Sequence, residues 1–251
     1  MKGLAAFAGL FGLVSGARAA TDEIQVYDAA IAPIGGFNLT IHNNYTPEGV
    51  KIPEFTGGLV DHHTLNGVPE WAVGVTDWWE LGTYLPLYSV KNDGAAVLNG
   101  VKLRSLFVVP DAKSRMFFYG INFELSYNFR HWEPTRYSGE IRPIIGYRVG
   151  AVDLIFNPIL DTGFKGGASH LDFAPAARVA YNFSDDVALA VEHYADFGPL
   201  RRFEDADRQN QVLFGVVDAK IAGASVEFGA GHGFTGVSDS LILKLIVSLD
   251  L

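Results

Sequence analysis

Residues 117–129 place Phe117, Tyr119, Ile121, Phe123, Leu125, Tyr127 and Phe129 at every second position. The interleaved residues, Phe118, Gly120, Asn122, Glu124, Ser126 and Asn128, are mostly small or polar. Successive side chains of a strand point to opposite faces, so the spacing predicts a strand that is apolar along one whole face. The C-terminal residues repeat the pattern, with Leu241, Leu243, Leu245, Val247, Leu249 and Leu251 against Lys244, Ser248 and Asp250. So do Leu171, Phe173, Val179, Tyr181 and Phe183 against His170, Asp172, Arg178 and Asn182. Strands of soluble sandwiches run about 5–6 residues. These run to about 12, at or above the ~9–11 that a tilted strand needs to cross a bilayer. Length selects an all-β, transmembrane, antiparallel barrel.

The first residues supply the route to such a membrane. Met1-Lys2 is a short positive start, positions 4–14 are an apolar stretch, and Ala17-Arg18-Ala19 ends in small residues. That is the three-part pattern of a secretory signal peptide, cleaved after Ala19. A transmembrane anchor needs about 20 apolar residues, and this core is far shorter. Losing Lys2 and Arg18 takes the formal charge from −9 to −11. The acidic balance argues against a nucleic-acid partner, which needs a basic face. The absence of cysteine excludes disulfides, thiolate metal sites and thiol nucleophiles.

Alternation recurs in about twelve segments: 36–45, 65–75, 79–89, 97–109, 115–129, 137–149, 152–159, 170–183, 187–196, 210–218, 223–233 and 240–251. Their connections alternate as well. Those at 76–78, 110–114, 150–151, 184–186 and 219–223 are tight; those at 46–64, 90–96, 130–136, 160–169, 197–209 and 234–239 are mostly longer and richer in charge, Gly and Pro. Outer-membrane barrels of Gram-negative bacteria show this asymmetry, with short periplasmic turns and longer extracellular loops. The expected organisation is a signal peptide over 1–19, a periplasmic N-terminal segment over 20–35, and an up-and-down barrel over 36–251. The acidic-aromatic run Asp22 to Tyr27 reads either as a periplasmic tail or as an extra strand or plug near the lumen floor.

Hairpin geometry assigns the faces. A two-residue turn at Gly150-Ala151 sets Arg148 opposite Asp153, and a turn centred on Asp185 sets Arg178 opposite Glu192. Both pairs join opposite charges on the polar face, and such pairs contribute about 0.2–1 kcal/mol each. The lumen-facing charges that follow are Glu80, Glu124, Glu140, Asp153, Asp172, Glu192 and Glu227 against Lys102, Arg104, Arg142, Arg148, Arg178 and Lys244. Near balance points to paired charges that brace the lumen or line a weakly selective channel. Eight strands are filled by their own side chains and 16–18 leave an open pore. Twelve lie between, so a narrow conduit and a blocked lumen both remain open. Aromatic residues predict two interfacial belts, with Trp79, Phe117, Tyr181 and Phe183 near the tight turns and Tyr45, Tyr127, Phe129 and Trp132 near the long loops.

Other candidates have plainer readings. His62-His63 beside Asp61 could ligate a metal, but adjacent side chains on an extended chain point apart. Trp78-Trp79 suits an interfacial anchor better than a ligand platform. Arg201-Arg202 could grip lipopolysaccharide phosphates, though Glu204, Asp205 and Asp207 offset them. No Gly-x-Ser-x-Gly, phosphate-loop or EF-hand pattern occurs, and none of His42, His62, His63, His131, His170, His193 and His232 lies in a serine-hydrolase signature. Neither a cofactor nor catalysis is expected, although an outer-membrane lipid-modifying enzyme stays as an alternative.

Several blocks resemble a proteobacterial outer-membrane barrel family whose members carry the loose label "transporter". They are Asp22-Glu23-Ile24-Gln25-Val26-Tyr27-Asp28, the stretch from Gly67 through Trp71 and Gly74-Val75-Thr76-Asp77-Trp78 to Tyr84-Leu85-Pro86, Arg142-Pro143-Ile144-Ile145-Gly146-Tyr147, and His193-Tyr194-Ala195-Asp196-Phe197-Gly198-Pro199-Leu200. The family is similar to barrel proteins of phenol meta-cleavage gene clusters. The resemblance implies the barrel fold and its place in outer-membrane lipid and lipopolysaccharide more than a substrate, and carries no site residues; a passive channel for a small-molecule solute is the first expectation, with a closed structural or surface-interaction barrel as the alternative. The final strand resembles the signal read by the barrel-assembly machinery, but has Ile246 where glycine is usual and Leu251 where an aromatic is commoner.

Overall fold

The computed structural model describes residues 23–165 and 170–251. The signal-peptide reading falls on residues outside that range. Twelve antiparallel strands form one closed wall: β1 (Phe37–Glu48), β2 (Thr64–Gly74), β3 (Trp79–Val90), β4 (Ala96–Val108), β5 (Phe117–Asn128), β6 (Tyr137–Val149), β7 (Val152–Asn157 continued by Leu160–Thr162), β8 (Asp172–Phe173 continued by Ala176–Asn182), β9 (Val187–Asp196), β10 (Asn210–Ile221), β11 (Ala224–Gly233) and β12 (Leu241–Asp250). Each pairs with its sequence neighbours, and β1 pairs with β12 from Asn38↔Asp250 to Glu48↔Leu241, which closes the ring. Closure leaves no unpaired edge for hydrocarbon to meet.

The expected register holds: Arg148 stands opposite Asp153 and Arg178 opposite Glu192. Turn chemistry fixes it locally. Gly150 takes φ +60 between β6 and β7, and Ala222-Gly223, both at positive φ, close the β10–β11 hairpin as a primed turn does. The breaks in β7 and β8 fall beside Pro158 and Pro175, which have no N–H to donate. Ala174 N donates to Ile159 O and Ala195 N to Pro175 O, so the wall stays joined there.

The outer wall is apolar, with Leu103, Phe123, Val179 and Leu189 all exposed, while their neighbours Arg104, Glu124 and Glu192 are buried. Trp79 stacks on Phe107 near the tight-turn end, and Tyr127 packs edge-on against Phe129 and Tyr137 near the other. Trp132 departs from the expected belt. It is 3% exposed and turns inward onto Val68, Tyr84 and Leu87, because its loop folds over the mouth and Leu59 N bonds His131 O.

Residues 23–33 run inside the barrel, the plug geometry that the sequence left open beside a periplasmic tail. Ile24, Val26, Tyr27, Ala29 and Ala32 are buried. Inward-facing apolar residues receive them. Val26 and Ala29 join Leu106, Phe118, Ile144 and Ile155, whereas Ile24 joins Ala180, Phe214, Val216 and Ile242. Small residues make room: a Cβ at Gly146 would lie 1.9 Å from the Phe118 ring, and one at Gly231 2.5 Å from Phe214. The segment leaves at the tight-turn end, where Gly35 N bonds Gly74 O at 2.8 Å and β1 begins.

Two measurements check this architecture. In the cysteine-free chain, Leu39→Cys with Leu249→Cys should form a disulfide across the β1–β12 seam, since directly opposed residues lie within bridging distance. Leu39→Cys with Leu245→Cys should not, as read by non-reducing gel mobility. Phe123→Arg, on the lipid face of β5, should cost about 2–4 kcal/mol in folding into bilayers.

Candidate functional site

The lumen holds two charge networks. In the first, the Arg104 guanidinium of β4 donates to Glu70 Oε1 of β2 and to Glu80 Oε1 of β3, both at 2.5 Å. His42 of β1 lies 3.0 Å from the other Glu70 oxygen. Arg142 of β6 bridges Glu140 at 2.6 Å and Glu23 of the inner segment at 3.1 Å. Lys102 approaches Glu124 at 3.5 Å. The Tyr27 ring lies between the two guanidinium groups, 5.7 Å from Arg104 and 4.4 Å from Arg142, and its hydroxyl bonds that of Tyr84.

The second network lies across the lumen. Lys244 of β12 donates to Glu192 of β9 and, at 2.5 Å, to Glu227 of β11. Arg178 of β8 donates to Glu192 and Asp218, and lies 3.4 Å from Glu227. Lys244 and Glu192 are fully buried, and charges that deep persist only when paired. Both networks also hold the inner segment. Lys244 Nζ donates to Ile24 O at 3.2 Å and Arg142 to Gln25 O at 3.2 Å. Asn157 accepts from Tyr27 N at 2.7 Å and donates to Tyr27 O at 3.1 Å, while Ala32 N bonds Glu80.

Of the lumen charges expected from sequence, Glu80, Arg104, Glu140, Arg142, Lys102 and Glu124 gather in the first network and Arg178, Glu192, Glu227 and Lys244 in the second. Arg148 and Asp153 stand apart at the tight-turn mouth, 3.5 Å from each other, with Arg148 also donating to Ala112 O and lying over the Phe118 ring. Asp172 lines a cavity at the long-loop end. Several lumen acids escaped the sequence reading, among them Glu23, Glu70, Asp161 and Asp218. Glu70 shares parity with Asn66, a signal obscured by inward-facing Val68 and Ala72. Asp161 fell in a segment read as loop, and Asp218 closed a strand read as ending there. Their addition shifts the expected near-balance toward acid.

Residues 23–33 partition the lumen. Above them, toward the long loops, lies a cavity of about 180 Å³ whose lining includes Glu140, Asp161, Asp172 and Asp196, the cations Lys102 and Arg142, Trp132, and loop residues Phe55 and Leu59. Below, open to the tight turns, lies one of about 750 Å³ lined by residues such as Thr40, Glu80, Arg178 and Ser248. Gln25 lines both.

The remaining candidates lie outside the lumen. His62 and His63 have ring centroids 4.0 Å apart, closer than an extended chain allows, because His63 takes φ +58. Local desolvation and then the His63 charge hold the His62 imidazole below its ordinary pKa. Gly49 N donates to His62, and His63 meets the Tyr45 hydroxyl. Among the described residues no group of three or more His, Asp or Glu side chains is arranged to hold a metal. Nor, among them, is any histidine side chain bonded to a serine hydroxyl; His131, His193 and His232 bond Leu98 O, Gln211 and Ser240 O. Arg201 and Arg202 are exposed beside Phe203, which stacks on Phe173 and packs at a tilt against Phe197. Trp78 is exposed and stacks on Phe107.

No protein-family model matches the chain, and no curated protein matches it in sequence. Solved structures do match in fold. An outer membrane channel from Pseudomonas putida F1 is 12% identical, covers 91% of this chain and 100% of its own, and has a TM-score of 0.59. The NanC porin is 8% identical, covers 85% and 100%, and has a TM-score of 0.57. The fold is thus an outer-membrane barrel, and its closed wall with an apolar outer face belongs in the outer membrane of a Gram-negative bacterium.

Arg104→Met should leave Glu70 and Glu80 buried without their shared cation and destabilise the barrel by about 3–5 kcal/mol, read from urea-dependent folding into bilayers. Adding Glu70→Gln and Glu80→Gln should recover a large part of that loss.

Proposed function

We propose that this chain is an outer-membrane channel for small molecules, narrowed by its own residues 23–33. The observation that carries this reading is the pair of cavities, one on either side of the inner segment, meeting at Gln25. A barrel serving only as a structural wall has no need of an inlet at one end and a larger vestibule at the other. The likeness in fold to an outer membrane channel and a porin supports the same reading.

The wall supplies rigidity and the inner segment sets the bore. Most hydrogen bonds that hold the segment run to its backbone, from Lys244, Arg142, Asn157 and Glu80. Its apolar side chains fill wall pockets that would otherwise be wet. A solute passing from the long loops to the tight turns meets an acidic cavity, the Gln25 constriction, and then the wide vestibule. On the sequence resemblance to barrels of phenol meta-cleavage clusters, small aromatic molecules belong among the solutes. In this scheme residues 1–19 are removed on export, the barrel-assembly machinery inserts the chain, and lipopolysaccharide surrounds the outer rim.

Planar-bilayer recording tests the proposal. The purified chain should give small unitary steps, and Tyr27→Ala, which removes the ring held between Arg104 and Arg142, should raise unitary conductance at least twofold. Absence of steps from both proteins would make this a closed structural barrel.

A further inference from the structure

The outer face of the barrel at its long-loop end combines aromatic rings with unpaired cations. On β7, β8 and β9, Asp161, Asp172 and Asp196 line the inner cavity, so the alternate residues Leu160, Phe173 and Phe197 point outward to lipid. The loop after β9 folds back over that outer face. Phe197 N donates to Phe173 O, Phe173 N to Gly198 O and Leu200 N to Leu171 O, which carries the ladder on to Leu200. A turn closed by Arg202 N on Pro199 O then lays Phe203 against the Phe173 and Phe197 rings.

This path sets Arg201 and Arg202 at the rim of the lipid-facing wall. Both are exposed, and among the described residues neither guanidinium has an ion-pair or hydrogen-bond partner. The acids that follow in the loop, Glu204, Asp205 and Asp207, do not close on them; the Glu204 stem lies over Gly198, where a Cβ would come within 2.8 Å of it. By contrast, Arg115, Arg148 and Lys220 near the tight turns each have a partner in the chain, Pro110 O, Asp153 and Asp186.

The same combination recurs along the rim. The Arg136 guanidinium lies 5.7 Å from the centre of the outward Tyr127 ring. Between the two places Phe164 turns its ring onto the outer face of Gly139, where a Cβ would lie 2.7 Å from it, beside exposed Lys165. Aromatic belts mark the level at which hydrocarbon gives way to headgroups. The long loops face the cell exterior, so the headgroups at this level belong to the leaflet that holds lipopolysaccharide.

We infer that Arg201 and Arg202 hold a phosphate of lipid A, the membrane anchor of lipopolysaccharide, with its acyl chains against Phe173, Phe197 and Phe203. Guanidinium groups suit phosphate because their N–H groups match two of its oxygens at once. Charge and floor together select this occupant. A soluble anion gains nothing from the rings, and a purely apolar partner gains nothing from the arginines. The site lies outside the lumen and stands apart from the channel proposed above.

Native mass spectrometry of the full barrel in neutral detergent, titrated with bisphosphorylated lipid A, fully dephosphorylated lipid A and phosphatidylglycerol, tests the assignment. Bisphosphorylated lipid A should bind saturably and at least tenfold more tightly than either of the others. Arg201→Gln with Arg202→Gln should weaken it at least tenfold. Lys51→Gln with Lys91→Gln, which removes the same charge from two other long loops, should leave it unchanged. If the arginine double variant loses its heat-shifted gel band, Arg201→Gln alone takes its place, with at least threefold weakening expected. Equal binding of the phosphorylated and dephosphorylated forms, equal binding of phosphatidylglycerol, an unchanged affinity in the arginine variant, or an equal loss in the lysine variant would each overturn the assignment.

Discussion

A bilayer offers no water to satisfy a peptide group, and each unpaired N–H or C=O at that depth costs several kcal/mol. Everything else in this barrel follows from meeting that demand with strands. The ladder must close, so β1 meets β12. The faces must separate, so apolar and polar residues alternate. Prolines are admitted only where the ladder can be carried around them. Pro158 and Pro175 sit in the breaks of β7 and β8, and Pro69 lies where the β2–β3 register shifts between Gly67 and Glu70.

The alternation makes the wall legible in sequence because lipid imposes it residue by residue. All twelve strands overlap the segments that their periodicity marks, with β1, β7 and β10 running about three residues further, and Arg148↔Asp153 and Arg178↔Glu192 emerge from turn position alone. What lipid does not impose is harder to read. Val68, Phe118, Ile144, Phe214 and Ile246 are apolar yet face inward. They break the simple contrast of oily outside and hydrophilic inside, and the partners of most of them lie far away in the chain: Val26 and Ala29 for Phe118 and Ile144, Ile24 for Phe214, and Trp132 for Val68. Glu70 was masked by the same mixed face. Trp132 has the composition of a belt residue, and only the fold of its loop over the mouth turns it inward.

The inner segment and the wall thus solve one another's problem. Residues 23–33 have apolar side chains but no sheet to join, apart from the single bridge of Ile34 to Gly74. Their backbone groups find partners in Asn157, Arg142, Lys244 and Glu80, and their side chains find the inward apolar patches. The wall in turn could not leave those patches facing water across a lumen without cost. Coupling of this kind concentrates the restriction of the lumen in a short piece of chain that precedes β1 and lies outside the ladder, held by hydrogen bonds, ion pairs and apolar contacts.

The two charge networks differ in what they leave over. Around Lys244 and Arg178, two cations are shared among Glu192, Glu227 and Asp218, and Asp218 and Glu227, directly opposed, are reconciled by the guanidinium that reaches both. Around Arg104, two carboxylates share one guanidinium with a histidine alongside. Each acid there has a partner close at hand, as burial requires. The Glu140–Asp161–Asp172 row follows the same cross-strand geometry with fewer cations, Arg142 on Glu140 and Lys102 lining the same cavity. The acids at mid-depth thus each have a cation in contact, whereas Asp161 and Asp172 add their carboxylates to the cavity beside the long loops and weight that end of the lumen toward negative potential.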